Sequence, residues 1–253
     1  MTKPTIPEIG KLSYLKEIDP SLRLRRAIHL NDAPLVRRIL RTHPDLLHNP
    51  DHSLTGNANT NLHLAASLGH LSIVQLLISL GHESPTPALN DDHQTALMLA
   101  SAAGHTEVVH FLAQHDPSCI LRQDMRGRDA IMHASSSGHD TVVQILLTYV
   151  PGGAEAALAR TDIEGNTALH YASGNGHLLV LRTLLAAGAD PYRRNVWNWR
   201  ARDYCATVRT EVYYDSLVPK EGENGNGAPS RSGSPEARKK GFGARLVGLE
   251  VGD

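Results

Sequence analysis

Apolar residues return along this chain in a register that predicts one amphipathic helix per copy: Ile73, Val74, Leu76, Leu77, then Val108, Val109, Phe111, Leu112, then Val142, Val143, Ile145, Leu146, then Val180, Leu181, Leu184, Leu185. A Gly-His pair stands just before each run, at Gly69-His70, Gly104-His105, Gly138-His139 and Gly176-His177, with intervals of 35, 34 and 38 residues. Upstream of each pair lies a second, shorter phrase: Thr60-Asn61-Leu62-His63-Leu64-Ala65-Ala66, Thr95-Ala96-Leu97-Met98-Leu99-Ala100, Asp129-Ala130-Ile131-Met132-His133-Ala134 and Thr167-Ala168-Leu169-His170-Tyr171-Ala172. Thr is expected to open each first helix as its N-cap, and small Ala residues let that helix lie close to its neighbours. Gly ends it in a left-handed conformation that other residues resist. A unit of two such helices cannot bury its apolar face alone, so units must stack.

The pattern continues, weakened, at both ends. Leu24 to Asp32 aligns with the phrase ending at His70, with Asn31-Asp32 in place of Gly-His, and Pro34 opens the next helix at its permitted first turn. Arg200 to Ala206 aligns with Thr167 to Ser173 but puts Arg where Thr and Leu stand, as suits a closing unit with one wet face. The reading is five repeats and a degenerate sixth over residues 21–218, a short flank at 1–20, and a tail at 219–253. That tail strings Gly, Asn, Ser, Pro and charge together without periodicity and is expected to be disordered. Ser234-Pro235 in the tail admits proline-directed phosphorylation and Arg238-Lys239-Lys240 a localisation patch, each against a plain solvated linker.

Composition narrows the class. Hydrophobic residues make up 41% of the 253 residues and aromatic ones only 4%, which suits an extended Leu/Val/Ala core better than a large globular one. A net charge of −1 gives no general electrostatic case for nucleic acid or a membrane surface. Cys119 and Cys205 belong to no motif. With no signal peptide or long apolar run the expectation is a cytoplasmic protein without direct membrane insertion, a nuclear location remaining open.

The four phrases resemble the Thr-Pro-Leu-His-x-Ala signature of ankyrin repeats, whose period is about 33. The resemblance implies an all-α repeat fold, an ankyrin-repeat solenoid of helix-turn-helix units joined by β-hairpin-like loops, and a protein-binding role without catalysis. Seven of the fifteen histidines, His63, His133, His170, His70, His105, His139 and His177, are read as occupying two repeat-specific positions and bonding between neighbouring units. No Cys/His cluster has zinc-finger spacing, and there is no phosphate loop or nucleophile elbow, so no metal, cofactor or catalytic residue is expected.

Candidate partner contacts fall on the inter-repeat hairpins. Asp91-Asp92, Arg126 and Glu164, with Asp162 beside it, are placed at hairpin tips, against a reading as solvated charge. Both tryptophans lie in the last hairpin, where Arg193, Arg194, Trp197, Trp199 and Arg200 combine the residue types enriched at interface hot spots. Trp199 has a second reading, as a cover for the last full repeat. Arg23, Arg25, Arg26, Arg37, Arg38 and Arg41 crowd the first unit and should attract an acidic surface, or serve as a solvated cap.

A narrower resemblance rests on stretches outside the repeat consensus: Ser21 to Ile28, Leu35 to Leu47, Leu80-Gly81-His82-Glu83 and Asn198 to Asp203. These are similar to the Avo2 family of ankyrin-repeat subunits of the fungal target-of-rapamycin complex 2, over about residues 21–218 and apart from an insertion at Pro151 to Leu158. The resemblance implies a non-catalytic subunit whose partners are the target-of-rapamycin kinase and its companion subunits, recruited to the plasma membrane through that complex. The alternative is a free-standing ankyrin adaptor or inhibitor, of the proteasome-assembly chaperone or transcription-factor-binding kind.

Overall fold

The computed structural model describes residues 19–51, 53, 56–84 and 86–218. The flank before residue 19, the tail with Ser234-Pro235 and the basic triplet from Arg238 lie outside the described residues. Helices come in pairs: α1 (Pro20–His29) with α2 (Ala33–Thr42), α3 (Asn61–Ser67) with α4 (Leu71–Ser79), α5 (Ala96–Ala103) with α6 (Thr106–His115), and α7 (Ala130–Ser137) with α8 (Asp140–Tyr149). A short α9 (Ala154–Leu158) precedes the pair α10 (Ala168–Gly174) and α11 (Leu178–Ala186). A 3-10 turn at Ala201–Tyr204 followed by α12 (Val208–Leu217) closes the array. Among the described residues there is no strand, and the one isolated bridge joins Arg194 and Arg200.

First helices pack on first helices and second on second, in chain order, so the core is a band running the length of the stack. The predicted face is inside it: Ile73, Val74, Leu76, Leu77, Val108, Val109, Leu112, Val142, Val143, Leu146, Val180, Leu181 and Leu184 are buried, while Phe111, Ile145 and Leu185 are half-buried at its edge. The small Ala65, Ala100, Ala134 and Ala172 are fully buried on the first helices, at one register position, which lets those helices approach closely.

The Gly-His pair works across two units. Gly69, Gly104 and Gly138 sit at φ of 76°, 80° and 82°, where side chains are strained. A Cβ there would also fall 2.5 Å from the His105, His139 or His177 ring of the following unit. Each of those rings lies over the glycine and directs Nε2 to a carbonyl of the preceding unit: His105 to Ser67 at 2.8 Å, His139 to Ala102 at 3.1 Å, His177 to Ser136 at 3.0 Å. In the first unit Asn31 takes the left-handed position at φ 55° and Asp32 caps α2 by accepting from the Leu35 N–H.

Three expectations change. The fourth unit is opened by Asp129 and not by Thr; its carboxylate accepts from the Met132 N–H at 2.9 Å. His133 does not share the position of His63 and His170. It stands one residue later, at the place of Leu64, Leu99 and Tyr171, while Met132 fills the buried slot as Met98 does. The segment from Pro151 lengthens its unit by four residues over the one before it, and folds as α9, burying Ala157 and Leu158 where the preceding unit has a 3-10 turn at Pro117–Leu121.

Candidate functional site: the row of turn tips

Four connections between units share one design. Asn90, Asp124, Asp162 and Asn195 each occupy the base of a turn, buried, and their Oδ1 accepts two backbone N–H groups: Asp92 and Gln94, Arg126 and Arg128, Glu164 and Asn166, Trp197 and Trp199. The third residue out is left-handed in every copy, as His93, Gly127, Gly165 and Asn198, at φ between 59° and 78°. This is side-chain-to-backbone turn chemistry of Asn and Asp, and it leaves two residues per turn pointing away from the stack.

Adjacent turns are tied tip to tip. Asp91 N–H donates to the Asn57 carbonyl (3.1 Å), Met125 to Asp92 (2.9 Å), Ile163 to Arg126 (3.1 Å) and Val196 to Glu164 (3.0 Å). The proposed contact residues are thereby brought into one row: Asp91-Asp92, Met125-Arg126, Ile163-Glu164, Val196-Trp197. Asp91, Asp92 and Arg126 are exposed and Glu164 is half-buried; Asp92 accepts from the Asn57 side chain at 2.7 Å. Asp162 leaves the acidic tip: it is buried at the turn base, accepting from the Tyr171 hydroxyl at 2.6 Å.

The row contains an apolar line that residue-type reasoning did not pick out. Met125, Ile163 and Val196 are 61%, 69% and 66% exposed at the position just after the buried Asn or Asp. The signal was in the register, since three of the four residues at that position are apolar where solvated turns favour polar ones.

The last hairpin separates its two tryptophans. Trp197 is 51% exposed at the tip, beside the exposed Arg193 and Arg194. Arg194 donates to the Asn198 carbonyl at 2.7 Å, which holds it along the hairpin. Trp199 is half-buried, its ring edge-on to Tyr204 at 5.3 Å, and its carbonyl accepts from His170 at 3.1 Å. The Arg200 guanidinium lies 5.7 Å from the Tyr192 ring centroid, a cation–π approach, and the Arg200 backbone N–H donates to the Asp203 carboxylate. Trp199 is therefore part of the closing cover, and Trp197 is the free tip.

Titratable groups at the turn bases are explained by packing. Burial alone would raise the Asp124 pKa, but bonds from His133 and the Arg128 N–H, with the Arg128 charge, hold it well below the usual carboxylate range. Burial, then Asp162, pushes Tyr171 up. Burial pushes the Cys119 thiol up as well, away from a reactive thiolate. Among the described residues no group of three or more His, Cys, Asp or Glu side chains is placed to hold a metal ion.

The stack, its Gly-His joints and its repeated turns define a repeat protein of the helix-pair class. A family model described as ankyrin repeats (3 copies) matches residues 24–123 and 114–195. The chain belongs to the ankyrin-repeat family, whose units are protein-interaction modules. It is 36% identical over 113 residues to the target of rapamycin complex 2 subunit AVO2 of Saccharomyces cerevisiae, covering 45% of this chain and 26% of that one. It is 37% identical over 109 residues to the probable E3 ubiquitin-protein ligase XBOS33 of Oryza sativa subsp. japonica, covering 43% and 20%. The chain thus matches about a quarter or less of the length of these relatives. The crystal structure of the ankyrin repeat protein EF0377 superposes with a TM-score of 0.62 at 23% identity, over 77% of this chain and 95% of that one, a likeness of fold. No helix of the described residues is long and apolar enough to cross a membrane.

Proposed function

We propose that this chain is a non-catalytic accessory subunit of a target-of-rapamycin complex 2, gripping its partner with the row of turn tips. The observation that supports the complex is the likeness to AVO2, which adds to the ankyrin fold an assembly in which such a module serves. The surface is argued from chemistry. Trp197 is a large exposed ring at the end of an apolar line through Met125, Ile163 and Val196, flanked by Arg194 and Arg126 on one side of the charge balance and Asp92 and Glu164 on the other. An exposed aromatic among charged residues of both signs is how an anchor and a polar rim are arranged at protein interfaces. The kinase activity would belong to the partner, and membrane recruitment would follow from the complex.

Affinity purification of the tagged full chain from its native cells, at gentle salt, tests the reading. Recovery of target-of-rapamycin kinase with its companion subunits is the expected result. A chain that elutes without the kinase is instead a free-standing adaptor, and the narrow assignment fails.

A further inference from the structure

We propose that the arginine face of the first unit is a second docking surface, for an acidic segment of a protein, separate from the turn tips and independent of the assignment above. On α1, Leu24, Ala27 and Ile28 point inward, which leaves Arg23 and Arg26 on the opposite side. On α2, Val36, Ile39 and Leu40 point inward, and Arg37, Arg38 and Arg41 are exposed. These two helices pack against each other, against α3 and against α4, and the array's first unit has no preceding unit among the described residues. Helices in contact run about 8–10 Å apart, so five guanidinium groups share one end of the molecule.

A capping unit needs a polar outer face, but solubility is served by mixed charge. Here the acids are already engaged. Asp19 and Asp32 cap the N-termini of α1 and α2, and Asp51 pairs with Arg25. Asp45, on the 3-10 turn after α2, is the one acid of residues 19–51 without such a role. At the other end of the stack Arg202 is gripped by Asp215 at 2.5 and 2.6 Å and by Glu211 at 3.0 Å, while Arg209 of the same unit is exposed. The two flanks offer no compensation either; the balancing acids lie in the later units. Residues 1–18 carry three Lys against two Glu, and residues 219–253 carry six basic against five acidic side chains. With a net charge of −1 overall, this face is a local concentration of positive charge and not a share of a general surplus.

The guanidinium chemistry narrows the ligand. All six basic residues of 19–51 are arginine, as is every Lys-or-Arg position of 19–218, so what is local to this face is their concentration and not their type. The planar guanidinium fork matches carboxylate or phosphate oxygens two at a time, whereas a lysine supplies a point charge. An anionic membrane attracts both types alike, and insertion needs a continuous apolar face, which Leu22 and Leu30, exposed but two turns apart, do not form. Single-stranded nucleic acid would be held by aromatic platforms, and α1 and α2 carry no Phe, Tyr or Trp. Carboxylates of an acidic segment, with small apolar residues against Leu22 and Leu30, fit the surface as it stands.

The full chain is titrated against a fluorescent peptide alternating glutamate pairs with leucine, against its glutamine counterpart, and against the same peptide carrying phosphoserine in place of glutamate. Expected is binding of the glutamate peptide but not the glutamine one, weakening steeply as salt rises from about 50 to 300 mM. The triple variant Arg26→Glu, Arg38→Glu, Arg41→Glu should bind about ten-fold or more weaker with an unchanged circular dichroism spectrum and melt, since these side chains are exposed. Replacing the same three by Lys should also weaken binding, and full retention there would show diffuse attraction in place of fork recognition and overturn the argument from residue type. Trp197→Ala with Arg194→Ala should leave peptide binding intact, which keeps this test apart from that of the turn tips. Equal binding of the glutamine peptide, no effect of charge reversal, binding of the phosphoserine peptide alone, or preferential sedimentation with phosphatidylserine vesicles would each overturn the proposal.

Discussion

The base and the tip of each turn are only two residues apart, and they obey different rules. At the base, Asn90, Asp124, Asp162 and Asn195 repeat one set of bonds, and helix residues answer them: His133 bonds Asp124, Tyr171 bonds Asp162, and the Tyr204 hydroxyl accepts from Asn195. At the tip the pairs run Asp91-Asp92, Met125-Arg126, Ile163-Glu164 and Val196-Trp197; the first position is apolar in three of the four, the second changes from copy to copy, and only the backbone bonds that line them up recur in all. Side chains that join one unit to the next are buried and constrained by two units at once, whereas at the tips it is mainly the backbone that is tied and most side chains face solvent. Repeated residues therefore mark the stack, and residues that vary within a fixed turn are free to be shaped by a partner.

The comparison breaks most visibly if the stack is damaged. Leu146 has no exposed surface and lies between α8 and its neighbours, so Leu146→Ala should destabilise by about 2–5 kcal/mol in denaturant melts. His115 is exposed on the end of α6, and His115→Ala should cost less than about 0.5 kcal/mol. Equal losses would mean the inward register is wrong. Gly104→Ala should follow closely, at about 2–4 kcal/mol, because the left-handed strain is joined by displacement of the His139 ring and its bond to Ala102. Gly152 has φ 83° and nothing within 4 Å of an added Cβ, so Gly152→Ala isolates the strain alone at about 1 kcal/mol. If the two glycine variants melt alike, the ring-over-glycine joint contributes nothing.

A smaller effect distinguishes the buried histidines. Burial lowers His63 from 6.5 to about 4, the Gln94 carbonyl only partly opposing it. Its Nδ1 accepts from the Thr60 N–H, so Nε2 carries the proton that reaches Gln94. The unfolded chain takes up a proton at higher pH than the folded one, so stability contributed by neutral His63 is complete above about 6.5 and lost as pH falls towards about 4. The gap corresponds to about 3 kcal/mol at most. Burial also lowers His133 and His170, adding to the slope. Asp129, raised by burial to about 6, works against it, since its contribution is lost as pH rises through that value. Melts between about pH 4 and 7 should show a net rise with pH, and His63→Gln should make that rise shallower while lowering stability at neutral pH. A variant with an unchanged slope would place the proton uptake elsewhere.

The inward face and the Gly-His joints were legible because a helix in a stack is buried on a fixed side, and that side repeats at positions such as Val74, Val109, Val143 and Leu181. The caps at Asn31-Asp32 and Arg200 were legible for the same reason, as departures from a known register. Residue type misleads at His133, which is slipped by one position: Met132 holds the register and His133 answers Asp124. Asp162 has the sequence surroundings of surface charge, and nothing in them shows that Tyr171 and two backbone N–H groups converge on it. The apolar tips are not legible from residue type in the sequence, because Met125, Ile163 and Val196 are 38 and 33 residues apart and only the turn geometry sets them in line.

The two tryptophans give the sharpest form of the comparison, at the smallest cost in stability. Trp199 belongs to the base: its N–H is held by Asn195, its carbonyl by His170 and its ring by Tyr204. Trp199→Ala keeps the backbone bonds but removes the ring, so a loss of about 1–2 kcal/mol is expected, with any loss of partner following from it. Trp197 belongs to the tip, so Trp197→Ala should change the melt by less than about 0.5 kcal/mol. If the tips carry the interface, Trp197→Ala combined with Arg194→Ala should weaken capture of the partner by about 2 kcal/mol or more. Measured side by side, melting and capture should move independently for Trp197 and together for Trp199. A Trp197 and Arg194 double variant that still recovers the whole complex would remove the last hairpin from the interface and leave the row at Met125 and Ile163 to account for it.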